Sequence, residues 1–337
     1  MLLLRKEEDK AQKSSKILPY KHIKEPTDEV LQYIDNRRKG VVKSLRTRWS
    51  KFNRQCMGGI EPNTIYTIAG ISGSGKSSFV NSLETDLFDL NYDQKFIVLS
   101  FNFEMLAYKQ VGRKLSYRTK KTTSELYTSD NDVETVNDND FEILQKHSER
   151  LKKYPIYYVD RPGTIEEIHH TIEYWQKFAQ QGDKWLVVIL DHTLLTRGAA
   201  GKSEREALYD LQRVFMETKK NGMTTIIQIS QMNRDIESVE RINNRSMHYP
   251  MRRDLFGSDS VFQASDYVIV LHRPETLGIA DPEEDMTNPS SGYGPKRLPV
   301  KDRIYIHFLK VREGEPKILS FFNNLKYNSI EETTIVK

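Results

Sequence analysis

The chain lacks the features that would tie it to an oxidising compartment or a membrane. Its one cysteine in 337 residues, Cys56, excludes an intrachain disulfide and suits a reducing cytosol. No apolar run approaches the roughly 20 residues of a membrane-spanning helix. The opening Met1-Leu2-Leu3-Leu4 is too short for the core of a signal peptide. No internal repeat is visible. Charge of either sign is nearly balanced at +4 overall, so the total alone names no partner. Its distribution is more informative: residues 1–56 carry a net +8 and the remainder a net −4. Such a basic arm is either a solvated tail or a contact for nucleic acid or an acidic neighbour.

Hydrophobic residues at 37% and charged residues at 29% describe a protein with enough apolar content for a core beneath a polar surface. The length suits one large domain or two small ones. One stretch organises the rest. Gly70-Ile71-Ser72-Gly73-Ser74-Gly75-Lys76-Ser77 fits the G-x-x-x-x-G-K-[ST] phosphate-binding loop at every fixed position. Ile65-Tyr66-Thr67-Ile68-Ala69 before it reads as a buried strand, and residues 77–90 after it as a helix. The glycines let backbone N–H groups, among them those of Ser72, Ser74 and Ser78, turn toward phosphate oxygens, and the helix N-terminus adds partial positive charge. In such a loop Lys76 reaches the β- and γ-phosphates of ATP and Ser77 ligates Mg²⁺.

Strands and helices are expected to alternate along the chain. Thr27 is positioned to cap a short helix near 27–39, with Val30, Leu31 and Ile34 on one face. That helix is too short to be stable unless it docks. Strands are expected at 96–101, 156–160, 224–229 and 267–271, with a final hairpin of 304–309 and 317–322 turning at Arg312-Glu313-Gly314. Ile165, Ile168, Ile172, Trp175 and Phe178 recur at helical spacing and read as a core face. Residues 122–142 read as a surface excursion and 274–300 as a loop insertion. Trp185-Leu186-Val187-Val188-Ile189-Leu190-Asp191 is an apolar run ending in a carboxylate, the Walker B pattern. A parallel strand buried on both faces needs such a run, and Asp191 at its end can hold the Mg²⁺ water shell. The fold class is therefore α/β, a mostly parallel sheet flanked by helices, with a short N-terminal helical arm.

Taken together, the motifs resemble the ATPase domain of DnaB-type hexameric replicative helicases, within the RecA-like fold. Phe101-Asn102-Phe103-Glu104-Met105 resembles the S-L-E-M segment of that family, with Arg113 at the same later spacing. Asp191-His192-Thr193-Leu194-Leu195 is similar to D-Y-L-Q-L, and Ser230-Gln231-Met232-Asn233-Arg234-Asp235-Ile236-Glu237 to S-Q-L-N-R-x-x-E. Asp254-Leu255, Ser258, Gln263 and Asp266 follow D-L-R-E-S-G…Q-x-A-D, and Lys310-Val311-Arg312-Glu313-Gly314 follows K-x-R-x-G. The order of motifs is that of the family.

The resemblance implies roles. Glu104 polarises the attacking water, Gln231 reports the γ-phosphate to the DNA side, and Lys310 and Arg312 reach into the nucleotide site of a neighbouring subunit. Single-stranded DNA threads a ring, hexameric in the family, along loops 196–204 and 253–259. The DNA-facing candidates are Arg197, Lys202, Arg253, Phe256, Gly257 and Ser258. A primase or a helicase loader is an implied partner, and the cytoplasm the implied location. Three residues depart from the family pattern: Phe256 stands where Arg is usual, Asp259 where Gly is usual, and His192 where Tyr is usual. Residues 1–45 are too few for the helical collar that usually precedes this domain. The expected layout is a basic arm over 1–45 and the ATPase domain over 46–337, a compact form that suggests a phage or mobile-element helicase. The implied activity is ATP-driven 5′→3′ DNA unwinding. The alternative is a non-helicase RecA-like ATPase, a recombinase or clock-type ring protein.

Overall fold

The computed structural model describes residues 18–130, 135–193 and 203–333; the side chain of Ser258 is also outside this description. The chain divides into two compact units, 1–43 and 44–337. In the first, helix α1 spans Lys24–Arg38, with Pro26 in its first turn where proline is tolerated. It begins before the expected cap. Thr27 lies inside it, donating from its hydroxyl to the Ile23 carbonyl at 2.7 Å. None of its residues is buried, and Val30, Leu31 and Ile34 are all exposed.

The second unit is built on one nine-stranded sheet. In chain order its elements are α2 (Ser50–Gln55), β1 (Ile65–Gly70), α3 (Lys76–Leu90), β2 (Phe96–Asn102), α4 (Ala107–Thr119), α5 (Thr123–Tyr127), α6 (Asp138–Leu151), β3 (Ile156–Val159), α7 (Ile165–Gln181) and β4 (Trp185–Asp191). Then come α8 (Glu204–Thr218), β5 (Thr224–Gln231), α9 (Val239–Ile242), α10 (Ser258–Ala264), β6 (Tyr267–His272), β7 (Arg303–Val311), β8 (Ile318–Asn324) and β9 (Ser329–Glu332). The spatial order is β3-β2-β4-β5-β1-β6-β7-β8-β9, parallel from β3 to β6 and antiparallel thereafter. Strands β1, β2, β4 and β6 are buried along their whole length, as parallel strands covered on both faces must be.

Each face of the sheet carries its own core. On one, Phe79, Leu83 and Leu87 of α3 meet Trp49 and Phe52, with the Trp49 and Phe79 rings stacked at 4.6 Å. Helix α2 has no capping side chain of its own. The Glu332 carboxylate supplies one from β9, accepting from the N–H groups of Lys51 and Phe52 at 2.7 and 3.1 Å. On the other face Ile168 and Ile172 of α7 and Leu208, Leu211 and Phe215 of α8 cover the central strands.

Four expectations need correction. The last hairpin continues into β9, whose four residues contain a single apolar one. The 122–142 excursion holds α5 and the start of α6, each opened by a capping box (Thr122 with Glu125, Asn137 with Asp140) and with no fully buried residue. The core face of α7 differs from the expected one: it runs on from Ile172 through the buried Gln176 and Ala179, while Trp175 is only partly buried and Phe178 is exposed near β3, the edge strand, where Tyr157 meets Trp175 at 4.1 Å. The 274–300 insertion is not merely a loop. It carries Tyr293, fully buried and stacked on Tyr305 at 4.4 Å.

Tyr293 also covers two buried histidines, stacking on His272 and hydrogen-bonding His307. Burial pushes His272 down to about 3 and His307 well below the usual histidine range; charged neighbours add to this. Both are therefore neutral when folded and ordinary bases, near 6.5, when unfolded. The unfolded chain binds more protons below that value, so stability is full above about pH 6.5 and falls as the medium becomes more acid. The expected loss between about pH 7.5 and 5.5 is on the order of 1 kcal/mol for each histidine, read by urea unfolding at each pH. A level stability across that range would contradict the burial of this pair.

Candidate active site

The phosphate loop starts at the carboxyl end of β1, the edge at which open α/β sheets bind ligands. Gly70 is there because the chain passes close to itself. A methyl group at that Cα would come 2.4 Å from Ser74 Oγ and 2.6 Å from the Leu271 carbonyl oxygen. Gly75, the N-cap of α3, has φ +97°, a backbone that disfavours any side chain, and it provides no capping group. The residues bearing the first N–H groups of that helix, Lys76, Ser77 and Ser78, line a cleft together with Ser72, Gly73 and Gly75. Lys76 Nζ donates to the carbonyls of Gly70 and Ile71, both at 2.8 Å. Ser74 Oγ is buried without a hydrogen-bond partner among the described residues.

Sheet register brings the remaining groups to the same edge. Gly70 pairs with Gln231, the last residue of β5, and Asn102 pairs with Asp191, the last of β4. Glu104 follows two residues beyond β2, and the Phe103 N–H donates to the Asp191 carbonyl at 2.9 Å, which fixes where it emerges. Glu104, Asp191, Gln231 and Arg113 of α4 all line the cleft. Burial pushes Asp191 up to about 6, and the nearby Glu104 adds to this; Lys76 and Arg113 act in the opposite direction. Burial lowers Lys76 and Arg113, and the two carboxylates partly restore them. A buried carboxylate under such strain, beside a serine hydroxyl and a glycine cradle, fits a divalent cation carried by an anionic phosphate.

Two cleft residues escaped the list drawn from sequence. Leu325, in the turn after β8, would lie 3.1 Å from a methyl group at Gly75; no local pattern announces a contact 250 residues distant. His192 lies between Gln231 and Glu104, its Nε2 3.3 Å from the Gln231 amide nitrogen and 4.0 Å from Glu104 Oε2. Its departure from the family tyrosine was the available signal.

Lys310 and Arg312 are elsewhere. Strand β7 runs antiparallel to β6, so its end lies at the opposite edge of the sheet, with Val311 opposite Tyr267. Lys310 Nζ donates to the Phe262 carbonyl at 2.6 Å at the end of α10. Arg312 Nε donates to Asp266 Oδ1 at 2.7 Å, and its backbone N–H to the Asp266 carbonyl at 3.0 Å. Asp266 also accepts from Lys219 Nζ at 2.7 Å and from the Ile65 N–H at 2.8 Å. Arg312 thus stands beside the first residue of β1, while the phosphate loop leaves the last. Five residue steps along β1 separate them by about 17 Å.

Of the DNA-facing candidates, Arg197 and Lys202 lie outside the described residues. Arg253 and Phe256 are laced to the end of β5 and the residues just beyond it. The Phe256 N–H donates to the Gln231 carbonyl at 3.1 Å, and Asn233 Nδ2 to the Arg253 carbonyl at 2.6 Å. The Phe256 side chain packs, half-buried, against the core of α7 and α8. Gly257 is left-handed at φ +61°, and the Asp259 carboxylate accepts from Arg252 at 2.8 Å.

The family described as the DnaB-like helicase C terminal domain matches residues 44–332. The chain belongs to that family. Among curated DnaB relatives it is 27% identical over 211 residues to the replicative DNA helicase DnaB of Mycobacterium leprae (strain TN), spanning 61% of this chain and 33% of that protein. It is 26% identical over 252 residues to the replicative DNA helicase DnaB of Mycoplasma genitalium, spanning 74% of this chain and 50% of that protein. The chain therefore spans half or less of the DnaB relatives it matches. Among solved structures it resembles the ATPase domain of G40P at TM-score 0.71 and 18% identity, covering 91% of this chain and 98% of that one. It also resembles a DnaB-like replicative helicase studied for its interactions with primase, at TM-score 0.71 and 16% identity, covering 99% of this chain and 72% of that one. The DnaB-like fold is RecA-like, a mostly parallel sheet flanked by helices, as expected from the motifs.

Proposed function

We propose that the chain is the motor of an ATP-driven, ring-forming replicative DNA helicase that moves 5′→3′ on single-stranded DNA. The observation that carries this reading is the division of one candidate site between two edges of the sheet. Ser72, Gly73, Gly75, Lys76, Ser77, Ser78 and Arg113 line the nucleotide-binding half, with Glu104, Asp191 and Gln231 beside them, and Gly70 and Ser74 complete its loop. Arg312 lies about 17 Å away along β1, and Lys310, level with Thr67, has its amine held on the Phe262 carbonyl; neither lines the cleft of its own chain. A second copy would bring them to it, which is how an arginine finger acts in trans.

In that arrangement Ser77 and Asp191 hold a magnesium ion, which supplies positive charge to the phosphates. Lys76 leaves its two carbonyls for the β- and γ-phosphates. Glu104, its side chain 61% exposed at the cleft mouth, orients the attacking water and accepts its proton. Gln231 senses the γ-phosphate and is bonded to the 253–257 segment, which with Arg197, Lys202 and Ser258 follows the DNA backbone without reading sequence. The expected layout is an arm over 1–45 and the ATPase domain over 46–337, and the arm docks the exposed Val30, Leu31 and Ile34 of α1 on a neighbouring subunit of a six-membered ring. A primase or loader is the expected partner and the cytoplasm the expected location, that of the host if the chain is phage-encoded.

Strand displacement on forked DNA tests the reading. The wild-type chain with ATP is expected to open a fork carrying a 5′ tail. Glu104→Gln should bind ATP yet release phosphate about 10²–10⁴-fold more slowly, and open nothing. Turnover and DNA binding without displacement at either polarity would remove the helicase assignment. Undiminished phosphate release by Glu104→Gln would remove Glu104 as the base.

A further inference from the structure

Gln231 is tied at both its ends. Its backbone carbonyl accepts from the Phe256 N–H, and its side-chain amide faces His192 Nε2 at 3.3 Å. The surrounding backbone moves with it. The Asn233 N–H donates to the Asp254 carbonyl at 2.7 Å, Met232 bridges Leu255, and the buried Asp254 is clamped by Arg241 at 2.6 Å. A displacement of residues 253–256 is therefore a displacement of Gln231.

On the other side one ring nitrogen faces two groups. His192 Nε2 is 3.3 Å from the Gln231 amide nitrogen and 4.0 Å from Glu104 Oε2. An imidazole nitrogen carries either a lone pair or a proton. While Nε2 accepts from the amide it has nothing to donate to the carboxylate; to donate to Glu104 it must lose that amide N–H. The His192 side chain is only 9% exposed, whereas that of Glu104 is 61% exposed. For Nε2 to donate, the single N–H of the ring must also pass from Nδ1 to Nε2.

We propose that His192 is a positioning residue that couples segment 253–256 to Glu104 through Gln231. When a strand bound against that segment draws Gln231 away, Nε2 turns to Glu104 and holds the carboxylate over the cleft. Without the strand, Gln231 occupies Nε2 and Glu104 stays in solvent. This inference rests on the helicase reading, since it gives the DNA track a route to the base.

The test uses the intact chain, a fluorescent oligothymidylate and two ratios. One is ATP turnover with and without the oligonucleotide. The other, which involves no turnover, is oligonucleotide affinity with a non-hydrolysable ATP analogue against affinity with ADP. His192→Phe keeps the ring and deletes the nitrogen; both ratios should fall toward one, by about tenfold where the wild-type coupling is of ordinary size. His192→Gln, with an amide near the Nε2 position, should recover part of each. Should His192→Phe fail to fold, His192→Asn, whose amide is too short to reach, replaces it. The coupling is overturned if the variant keeps both ratios within about twofold of wild type, or if His192→Gln falls as far as His192→Phe. A wild-type chain in which both ratios are already one defeats the helicase reading, and the coupling with it.

Discussion

Lys76→Ala is expected to lower ATP turnover by at least about 10²–10³-fold, the loss that follows removal of one preorganised charge from a reacting phosphoryl. The ammonium lies over the cleft on two loop carbonyls, Gly70 and Ile71, and its burial already costs it some basicity. A γ-phosphate offers it a better partner than either. The same geometry predicts that the fold survives, because only two hydrogen bonds within one loop are lost, up to about 3 kcal/mol each for a charged donor, and the cost of burying the ammonium goes with them. Phosphate release and a thermal melt of the same preparation check both halves. Turnover within tenfold of wild type would mean that this loop does not hold the reacting phosphates.

The second large effect is that of Arg312→Ala. ATP binding should persist, since no cleft residue touches Arg312, while hydrolysis should fall by about 10³–10⁵-fold, the usual contribution of an arginine finger. The structure also separates this loss from unfolding. Arg312 is half exposed, and Asp266, its partner, keeps Lys219 and the Ile65 N–H when the guanidinium is gone. Binding of a fluorescent nucleotide analogue, measured beside turnover, distinguishes the two steps. If hydrolysis were retained, Arg312 would be no more than a surface partner of Asp266.

What could be read from the sequence followed from local rules. Trp185–Asp191 was legible to the residue because a strand buried on both faces must be apolar throughout, and a carboxylate ends it. Gly70 to Ser77 was legible because its glycines are forced by close approach and left-handed backbone. Features made by distant residues were not. Strand β9 has too little apolar content to announce itself, yet it caps α2 through Glu332. The passing of the α7 core face to Gln176 and Ala179 rather than Trp175 and Phe178 depends on β3 being an edge strand, a property of sheet order rather than of the helix. The meeting of His192 with Gln231 depends on β4 and β5 lying side by side in register, across 39 residues of chain. The placement of Lys310 and Arg312 at the far edge likewise required the antiparallel return of β7.

The claim at the centre of this account is that one ATP site is made by two copies of the chain. Mixing the Lys76→Ala and Arg312→Ala proteins tests it most directly. The first lacks the phosphate loop lysine but carries an intact finger; the second carries the intact cleft. Random co-assembly into rings would leave roughly one interface in four with both halves sound. DNA-stimulated ATP turnover should then reappear in the mixture at a level neither protein shows alone, greatest near equal proportions. A mixture no more active than the average of its two components, with co-assembly verified, would contradict the shared site.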